Sequence, residues 1–149
     1  YYKLLGENTF LQLQEEDLFW QYNEDSNSIA TIVKHLNGNM ISRWTDFLAL
    51  DGEKPWRKRD EEFENDIKSK TQMLEKWHEG WNCTFGLLTE LTPADLTKKI
   101  FIRNESLTVV DAIHRQLAHY AYHVGQIAFI GKMLKGNDWK SLSIPRLRR

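Results

Sequence analysis

Apolar positions recur at helical spacing along most of this chain, and prolines are rare. The first helical pattern covers about residues 1–14, and a polar connection follows from Glu15 to Ser28. Ser28 has a side chain suited to an N-cap, and a clear 3.6-residue rhythm runs from there to about Leu50. The first third of the chain therefore predicts two helices joined by polar chain.

A third helix is predicted after a polar loop. The segment from Asp51 to Asp60 contains a proline and is longer than a tight helical hairpin needs. A loop of that length can cross the end of a bundle, so it can place the next helix parallel to the one before it. That helix is predicted over about residues 60–90, and its acidic first turn, Asp60-Glu61-Glu62, suits the positive end of the helix dipole.

The last long helix has recognisable signals at both ends. Thr108 with Asp111 resembles a capping box, and Gly136 is a stop signal, so this helix is predicted over about residues 108–134. A tail over 139–149 follows the glycine. Its apolar residues are expected to pack back on the helices: Trp139, Leu142 and Ile144.

Between the third and fourth helices the chain is less regular. Thr92-Pro93 predicts a short helical turn, and residues 100–107 predict either a small hairpin or extended chain. Long helical patterns with few breakers favour an all-α bundle, which we expect to form one domain over residues 1–149. Because the chain opens on Tyr1 in what reads as the middle of a helix, we expect upstream residues to be missing.

Composition and charge exclude several classes of protein. Of the 149 residues, 41% are apolar and 28% charged, as in ordinary globular proteins, and no apolar run is long enough to span a membrane. The net charge of −1 offers no basic excess for nucleic-acid binding. The single cysteine, Cys83, fits a reducing compartment, so a cytoplasmic location is expected.

Three of the five histidines form the most informative pattern. His119 and His123 lie four residues apart on the last helix, where both imidazoles face the same way and can reach one ion. If the second and fourth helices run antiparallel, His35 comes within about one turn of their level. Three ligands with an open position are typical of a catalytic metal site, and imidazoles suit zinc, nickel, iron or copper.

Alternatives to a metal site remain at this stage. A pair of histidines at this spacing also arises by chance, and a histidine near a core is often simply hydrogen-bonded. His114 is turned about 140° from His119 on the helix, so it is a poor ligand candidate. Tyr120 follows the first histidine of the pair, so the glutamate of an HExxH metalloprotease is absent. Cys83 is interpreted as a core residue and not as a nucleophile.

Two segments carry a resemblance to a known family. They are Asn27–Met40, which contains His35, and His119–Ile127, which contains an HxxxH pair followed by Gly-Gln. In this pattern, and along essentially the whole length of the chain, the sequence resembles the DinB-like (YfiT-like) metal-binding four-helix bundles, in their uncharacterised bacterial branch.

The resemblance implies an up-down-down-up bundle with His35, His119 and His123 as metal ligands and zinc or nickel as the usual ion. Family members often form homodimers. Characterised relatives include S-transferases and isomerases that use low-molecular-weight thiols such as bacillithiol or mycothiol. There the metal is thought to bind and activate the thiol sulfur.

Further side chains are candidates for binding a cofactor or ligand. Asn39 and Arg43 follow His35 at helical spacing and are expected to line the same cleft, and Gln126 can hydrogen-bond a ligand or a metal-bound water. Tyr120 and Tyr122 can donate a phenol proton, although helix packing is the commoner role at such positions.

Three hypotheses for function follow. The first is a metal-dependent S-transferase or hydrolase whose partner is a small molecule or a bacillithiol-type thiol. The second is a metal-binding or stress-response protein without turnover, and the third is a structural bundle with incidental histidines. The basic loop Trp56-Arg57-Lys58-Arg59 can receive an anionic thiol, but it is expected to be a solvated loop.

Overall fold

The computed structural model describes residues 1–64 and 66–145. Within these ranges the chain is mainly helical, with five α-helices and one two-stranded antiparallel sheet. The elements are α1 (Tyr2–Phe10), α2 (Glu15–Phe19), α3 (Ile29–Trp44), α4 (Lys70–Glu90), β1 (Lys99–Ile102), β2 (Glu105–Thr108) and α5 (Val109–Lys135). Short 3-10 helices lie at Asp60–Phe63, Pro93–Asp95 and Gly136–Asp138.

The central element of the fold is α3. Thirteen of its 16 residues are buried, because it packs against α4 and α5 and is also contacted by α2. α1 packs on α5. Aromatic rings fill much of the core: Phe10 meets Trp77 edge to face at 5.1 Å between ring centroids, and Trp81 lies 5.1 Å from Tyr120. A helix buried on nearly every side also buries its polar residues, which then need partners.

The predicted N-caps are confirmed. The Ser28 hydroxyl accepts a hydrogen bond from the Thr31 backbone N–H at 3.1 Å and begins α3. Thr108 and Asp111 form a reciprocal capping box at the start of α5. Gly136 stops that helix with a φ of 55°, a positive value that glycine adopts without a Cβ clash.

The prediction for the N-terminal region is wrong in its boundaries. The helix predicted over residues 1–14 ends at Phe10, and the expected polar connection contains α2. A second capping box explains the break, because the backbone N–H of Gln14 donates to the Asp17 carboxylate at 2.9 Å. Leu18 of α2 is fully buried. Leu18 is therefore a core residue of a helix, and Phe19 beside it packs partly buried against the core.

The second predicted helix ends earlier than expected. α3 stops at Trp44, not near Leu50, and Asp46 takes a positive φ of 47° just beyond it. A left-handed residue cannot continue a right-handed helix, and Asp is among the residues that tolerate that conformation. The apolar residues after Asp46 belong to turns.

The third predicted helix begins ten residues later than expected. α4 starts at Lys70, where the Ser69 hydroxyl accepts from the Gln72 backbone N–H at 3.2 Å, and residues 60–63 form a separate 3-10 helix against α3. Glu62, expected in an exposed first turn, is buried at 6% exposure. The acidic segment is thus part of the core around α3 and does not begin α4.

The small hairpin is confirmed over the extended-chain alternative. Ile102 pairs with Glu105 across a two-residue turn, and Arg103 and Asn104 both have positive φ, 55° and 63°. This combination matches the turn that best fits the twist of paired strands. The Asp51 carboxylate accepts hydrogen bonds from both turn N–H groups, at 2.9 and 2.8 Å, and so ties the turn to the loop after α3.

The predicted tail packs only in part. Trp139 lies against Gly131 of α5, where a Cβ would stand 3.3 Å from the indole ring. Ile144 is 93% exposed, so its expected packing is wrong. Residues 146–149 of the predicted tail lie outside the described residues.

Tyr120→Phe tests the buried contact between α3 and α5. The Trp44 indole N–H donates to the Tyr120 hydroxyl at 2.7 Å, and both side chains are buried. We expect the free energy of unfolding to fall by about 1–3 kcal/mol, because the variant leaves a buried donor without an acceptor.

Tyr122→Phe is the matched control for that substitution. Its ring is 63% exposed, so the change in stability should stay within about 0.5 kcal/mol in urea unfolding. Equal effects of the two variants would show that the buried hydrogen bond does not stabilise the fold.

Candidate metal centre

The structure brings together the three histidines that the sequence singled out. His35 comes from α3, and His119 and His123 lie one turn apart on α5. The Nε2 atom of His119 lies 3.3 Å from Nε2 of His35 and 3.1 Å from Nε2 of His123. One ring nitrogen of each of the three lies within 4.8 Å of the others. These residues could hold one metal ion between them.

Hydrogen bonds on the far side of two rings fix their tautomers. His35 Nδ1 lies 2.8 Å from Glu62 Oε2, and His123 Nδ1 lies 2.9 Å from Gln126 Oε1. A carboxylate and an amide oxygen only accept, so both Nδ1 atoms carry the proton. The Nε2 atoms that face the third ring therefore present lone pairs, as metal-ligating histidines do.

The electrostatics of the cluster favour neutral imidazoles. Burial, then repulsion from His123 and His35, lowers the pKa of His119 to about 3. Burial, then repulsion from His35, lowers the pKa of His123 to about 4, although the bond to Gln126 opposes the shift. Neutral imidazole is the form that binds metals, so protons do not compete for these two rings near neutral pH.

Glu62 is a residue of the site that the sequence analysis missed. Its two oxygens accept from Arg57 at 2.7 and 2.8 Å in a forked pair, and one of them also accepts from His35. Burial alone would raise the pKa of Glu62, but the hydrogen bonds from Arg57 and His35 outweigh it and lower that pKa. The carboxylate therefore stays ionised and orients His35.

Trp56, Lys58 and Arg59 are exposed, as expected for a solvated loop, but Arg57 between them is not. The Arg57 side chain is 3% exposed, and Glu53 accepts from it at 3.2 Å in addition to Glu62. Phe63, from the 3-10 helix that carries Glu62, stacks on the His35 ring at 4.9 Å between centroids. Glu62 thus holds the His35 ring through a hydrogen bond in the ring plane, and Phe63 packs against the face of the same ring.

Gly38 provides the space for Glu62 within α3. A Cβ at this position would lie 2.7 Å from the Glu62 carboxyl carbon. Glycine in a helix interior costs about 0.5–1 kcal/mol relative to alanine, so such a glycine commonly has a packing reason. Its place three residues after His35 was the signal in the sequence that could have pointed to a close neighbour.

A cavity of about 450 Å³ opens onto the histidine cluster. Among the described residues that line it there is no aspartate or glutamate. Besides the three histidines, its lining contains five arginines, Arg43, Arg57, Arg59, Arg103 and Arg115. Two of these, Arg103 in the hairpin turn and Arg115 on α5, were not predicted as site residues.

The three residues predicted to bind a ligand all line this cavity. The Asn39 amide oxygen accepts from Gln116 at 2.9 Å, so part of its polar capacity is already used. Gln126 contacts His123 as described above, and Arg43 is buried at 5% exposure. The structure thus places the three near the cluster, and their roles toward a ligand stay predictions.

Other tyrosines, histidines and the cysteine lie outside the cluster. Tyr120 is bonded to Trp44 in the core and does not line the cavity, whereas Tyr122 does. His114 is exposed, and His78 is 51% exposed at 3.7 Å from Glu7. Cys83 packs partly buried against the core, where burial raises the pKa of its thiol and keeps it protonated.

Comparison with known proteins identifies the family of the chain. The chain belongs to DUF1572, described as a protein of unknown function, whose family model matches residues 1–148. No curated protein matches the chain, and no solved structure matches it. In the ranges 1–64 and 66–145, no helix is long and apolar enough to cross a membrane.

Gly38→Ala tests whether the site depends on the space that Gly38 leaves for the Glu62 side chain. The added methyl would press on the Glu62 carboxyl group, which is held by Arg57 and His35, so the ion pair has to move. We expect a loss of about 1–3 kcal/mol in the free energy of unfolding, as for other overpacked cores.

Gly86→Ala in α4 is the matched control, because a Cβ there meets nothing within 4 Å. It should stabilise the protein by about 0.5–1 kcal/mol through helix propensity alone. If urea unfolding showed that both variants, Gly38→Ala and Gly86→Ala, are stabilised, the result would contradict the tight packing of Glu62 against α3.

Proposed function

We propose that His35, His119 and His123 bind one divalent metal ion through their Nε2 atoms. The observation that carries this proposal is the mutual approach of the three nitrogens, at 3.3 and 3.1 Å from His119 to the other two. Nitrogens bound about 2.0–2.1 Å from one ion, at angles between octahedral and tetrahedral, lie about 2.8–3.4 Å apart. The two distances from His119 therefore fit a shared ion, and one ring nitrogen of each histidine lies within 4.8 Å of the others.

The protons of the cluster support the same conclusion. Because His35 and His123 are protonated on Nδ1, only His119 can bring a proton into the space between the three facing nitrogens. One proton cannot satisfy two lone pairs at good geometry, and burial makes unsatisfied polar atoms costly. A cation in that space satisfies all three nitrogens at once.

We propose further that the protein is a DinB-like four-helix bundle with up-down-down-up order. α1, α3, α4 and α5 would be its four helices, and the packing of α3 on α4 and α5 and of α1 on α5 is compatible with that arrangement. The resemblance in the segments around His35 and His119 supports the family, since these are the segments that carry the cluster.

The cavity over the cluster favours an enzyme that uses a thiol. An ion held there would act as a Lewis acid that lowers the pKa of a thiol reaching it. The described lining offers no carboxylate as general base, and a thiol, with a pKa of about 8.5, needs less help to ionise than water does. We therefore favour a metal-dependent S-transferase over a hydrolase.

In such a transfer the sulfur forms a bond to an electrophilic carbon. The leaving group departs with its bonding electron pair, and the thiol proton passes to solvent. The residues of the chain would act by position, since Glu62 and Gln126 hold two imidazoles in their tautomers. Arg43, Arg103 and Arg115 would attract anionic substrates. A bacillithiol-type thiol is the proposed cofactor.

The same missing general base favours a second candidate function. A metal-binding or stress-response protein without turnover needs the three histidines but no acid or base in the cavity. Conjugation of a thiol to a model electrophile separates the two, because only the transferase makes the product.

Three further proposals concern the ion, the compartment and the oligomeric state. The family resemblance supports zinc or nickel as the ion and a homodimer as the assembly. The single cysteine supports a cytoplasmic location.

Metal content tests the ligand set. Protein purified without an affinity tag and incubated with zinc or nickel should contain about one divalent ion per chain by mass spectrometry, since three imidazoles share one ion. The double variant His119→Ala/His123→Ala should contain none, and its fold is checked by circular dichroism.

His114→Ala is the control, because this histidine lies on the same helix but is exposed and outside the cluster. It should keep the metal of the unchanged protein. Equal loss in the His114 variant would contradict the ligand assignment, and the absence of metal in every variant would refute the proposed function.

A further inference from the structure

Arg43 is a buried cation with few partners. It is 5% exposed, and its Nε and Nη1 atoms have no hydrogen-bond partner among the described residues. Glu53 lies 3.9 Å from Nη2, but it already accepts from Arg57 and also pairs with Arg103 at 3.4 Å. Buried charges are normally paired and hydrogen-bonded, so this guanidinium has unused capacity to bind an anion.

The surroundings of Arg43 add positive charge. Arg43, Arg57 and Arg103 share two carboxylates in their ion pairs, Glu53 and Glu62. The nearby Asp51 carboxylate accepts from backbone N–H groups of the loop and the hairpin turn. Burial, followed by repulsion from Arg115, Arg57 and Arg103, lowers the pKa of Arg43 to about 10, against an opposing effect of Glu53. At neutral pH it remains charged, and an anion would relieve the repulsion.

The position of Arg43 relates it to the histidine cluster. It lies eight residues after His35 on α3, which is about 12 Å along the helix axis, and both side chains line the same cavity. Arg115, one turn before His119 on α5, and Arg103, in the hairpin turn, line it as well. The cavity thus places the histidine cluster and these cationic arginines in one space.

Gly52 allows the guanidinium to lie where it does. A Cβ at position 52 would stand 2.7 Å from Arg43 Nη1 and 3.1 Å from its Cδ. No positive φ requires glycine at this position, so the close approach of Arg43 is the reason that the structure offers. In the loop after α3, Gly52 therefore leaves the space that the Arg43 side chain occupies.

We propose that Arg43, assisted by Arg103 and Arg115, binds the oxyanion group, carboxylate or phosphate, of a small molecule whose other end reaches the three histidines. Guanidinium groups match both oxyanions with paired hydrogen bonds. The inference deepens the proposed function and rests on it for the end of the molecule that meets the metal. It names the substrate class of the site as anionic.

Calorimetric titration of zinc-loaded protein tests this subsite. The probes are short mercapto carboxylic acids of increasing length, each compared with the neutral mercapto alcohol of the same length. At least one acid should bind about tenfold or more tightly than its alcohol, as charge-assisted hydrogen bonds allow. In Arg43→Gln this ratio should fall toward one. Equal affinities of every acid and alcohol for the unchanged protein would overturn the proposal.

Arg59→Gln is the matched control within the same cavity. Arg59 is 51% exposed and lies over the Phe63 ring, so it contributes charge without the buried, unpartnered geometry. Its acid-to-alcohol ratio should stay within about twofold of the unchanged protein, since an exposed charge is largely screened. If Arg59→Gln lowered the acid-to-alcohol ratio as much as Arg43→Gln does, the preference for acids would come from the general positive charge of the cavity. That result would overturn the assignment to Arg43.

Gly52→Ala serves if Arg43→Gln does not fold. It keeps the arginine but presses a methyl group on Nη1, so it should weaken the acids and spare the alcohols. Unchanged affinity for the acids in this variant would count against the subsite.

A separate titration distinguishes failure of the metal site from failure of the oxyanion subsite. Zinc affinity is measured first in each variant, and inorganic phosphate and acetate are then titrated into metal-free protein. If zinc does not bind but one of these anions does, in a manner lost in Arg43→Gln, the metal site is refuted and the subsite is supported. If neither anion binds the metal-free protein, the subsite is refuted. If an anion does bind, the one with the higher affinity, phosphate or acetate, identifies the oxyanion group that the subsite prefers.

Discussion

The buried carboxylate of Glu62 is the constraint on which the site depends. It accepts hydrogen bonds from Arg57 and from His35 Nδ1 and so fixes which nitrogen of His35 faces the other histidines. The same bonds hold the segment before α4 against α3, where Gly38 leaves the space for it. Without a carboxylate at this point, neither the tautomer of His35 nor the path of the loop would be determined.

The arginines near Glu62 are paired with carboxylates to different extents, and this difference determines where the cavity carries positive charge. Arg57 satisfies Glu62 with a forked pair and takes part of Glu53, so it is largely neutralised. Arg43 receives only a distant contact from Glu53 and remains under-compensated in a buried position. A site built to hold a bare cation alone would be better served by acidic neighbours. Arginines around it suit a metal-binding molecule that brings its own negative charge.

The cluster could be predicted from the sequence because its information is local. His119 and His123 lie at helical spacing, and the Ser28 cap fixed the start of α3 well enough to estimate the depth of His35. Glu62 could not be found that way, because its acidic neighbours read as the first turn of a helix predicted from residue 60. Only tertiary contact shows that this segment turns inward. The glycine at position 38 was the local signal, and its meaning required knowing which side chain approaches it.

The same distinction explains the other differences. The hairpin turn places Arg103 at the cavity through its tie to Asp51, a contact over more than fifty residues that no local pattern encodes. Tyr120, adjacent to His119 in sequence, points into the core toward Trp44, because consecutive residues on a helix are turned about 100° from each other. Helix ends were missed where turns continued the apolar pattern, as after Trp44.

X-ray absorption at the zinc edge, on protein loaded with one equivalent of zinc, tests the central claim most directly. Imidazole rings bound through nitrogen give a distinctive outer-shell scattering whose amplitude counts them. The account predicts three imidazoles with nitrogen at about 2.0–2.1 Å from zinc and a remaining light-atom ligand. A spectrum with fewer than three imidazoles, or with cysteine sulfur from the protein at about 2.3 Å, would contradict the three-histidine site.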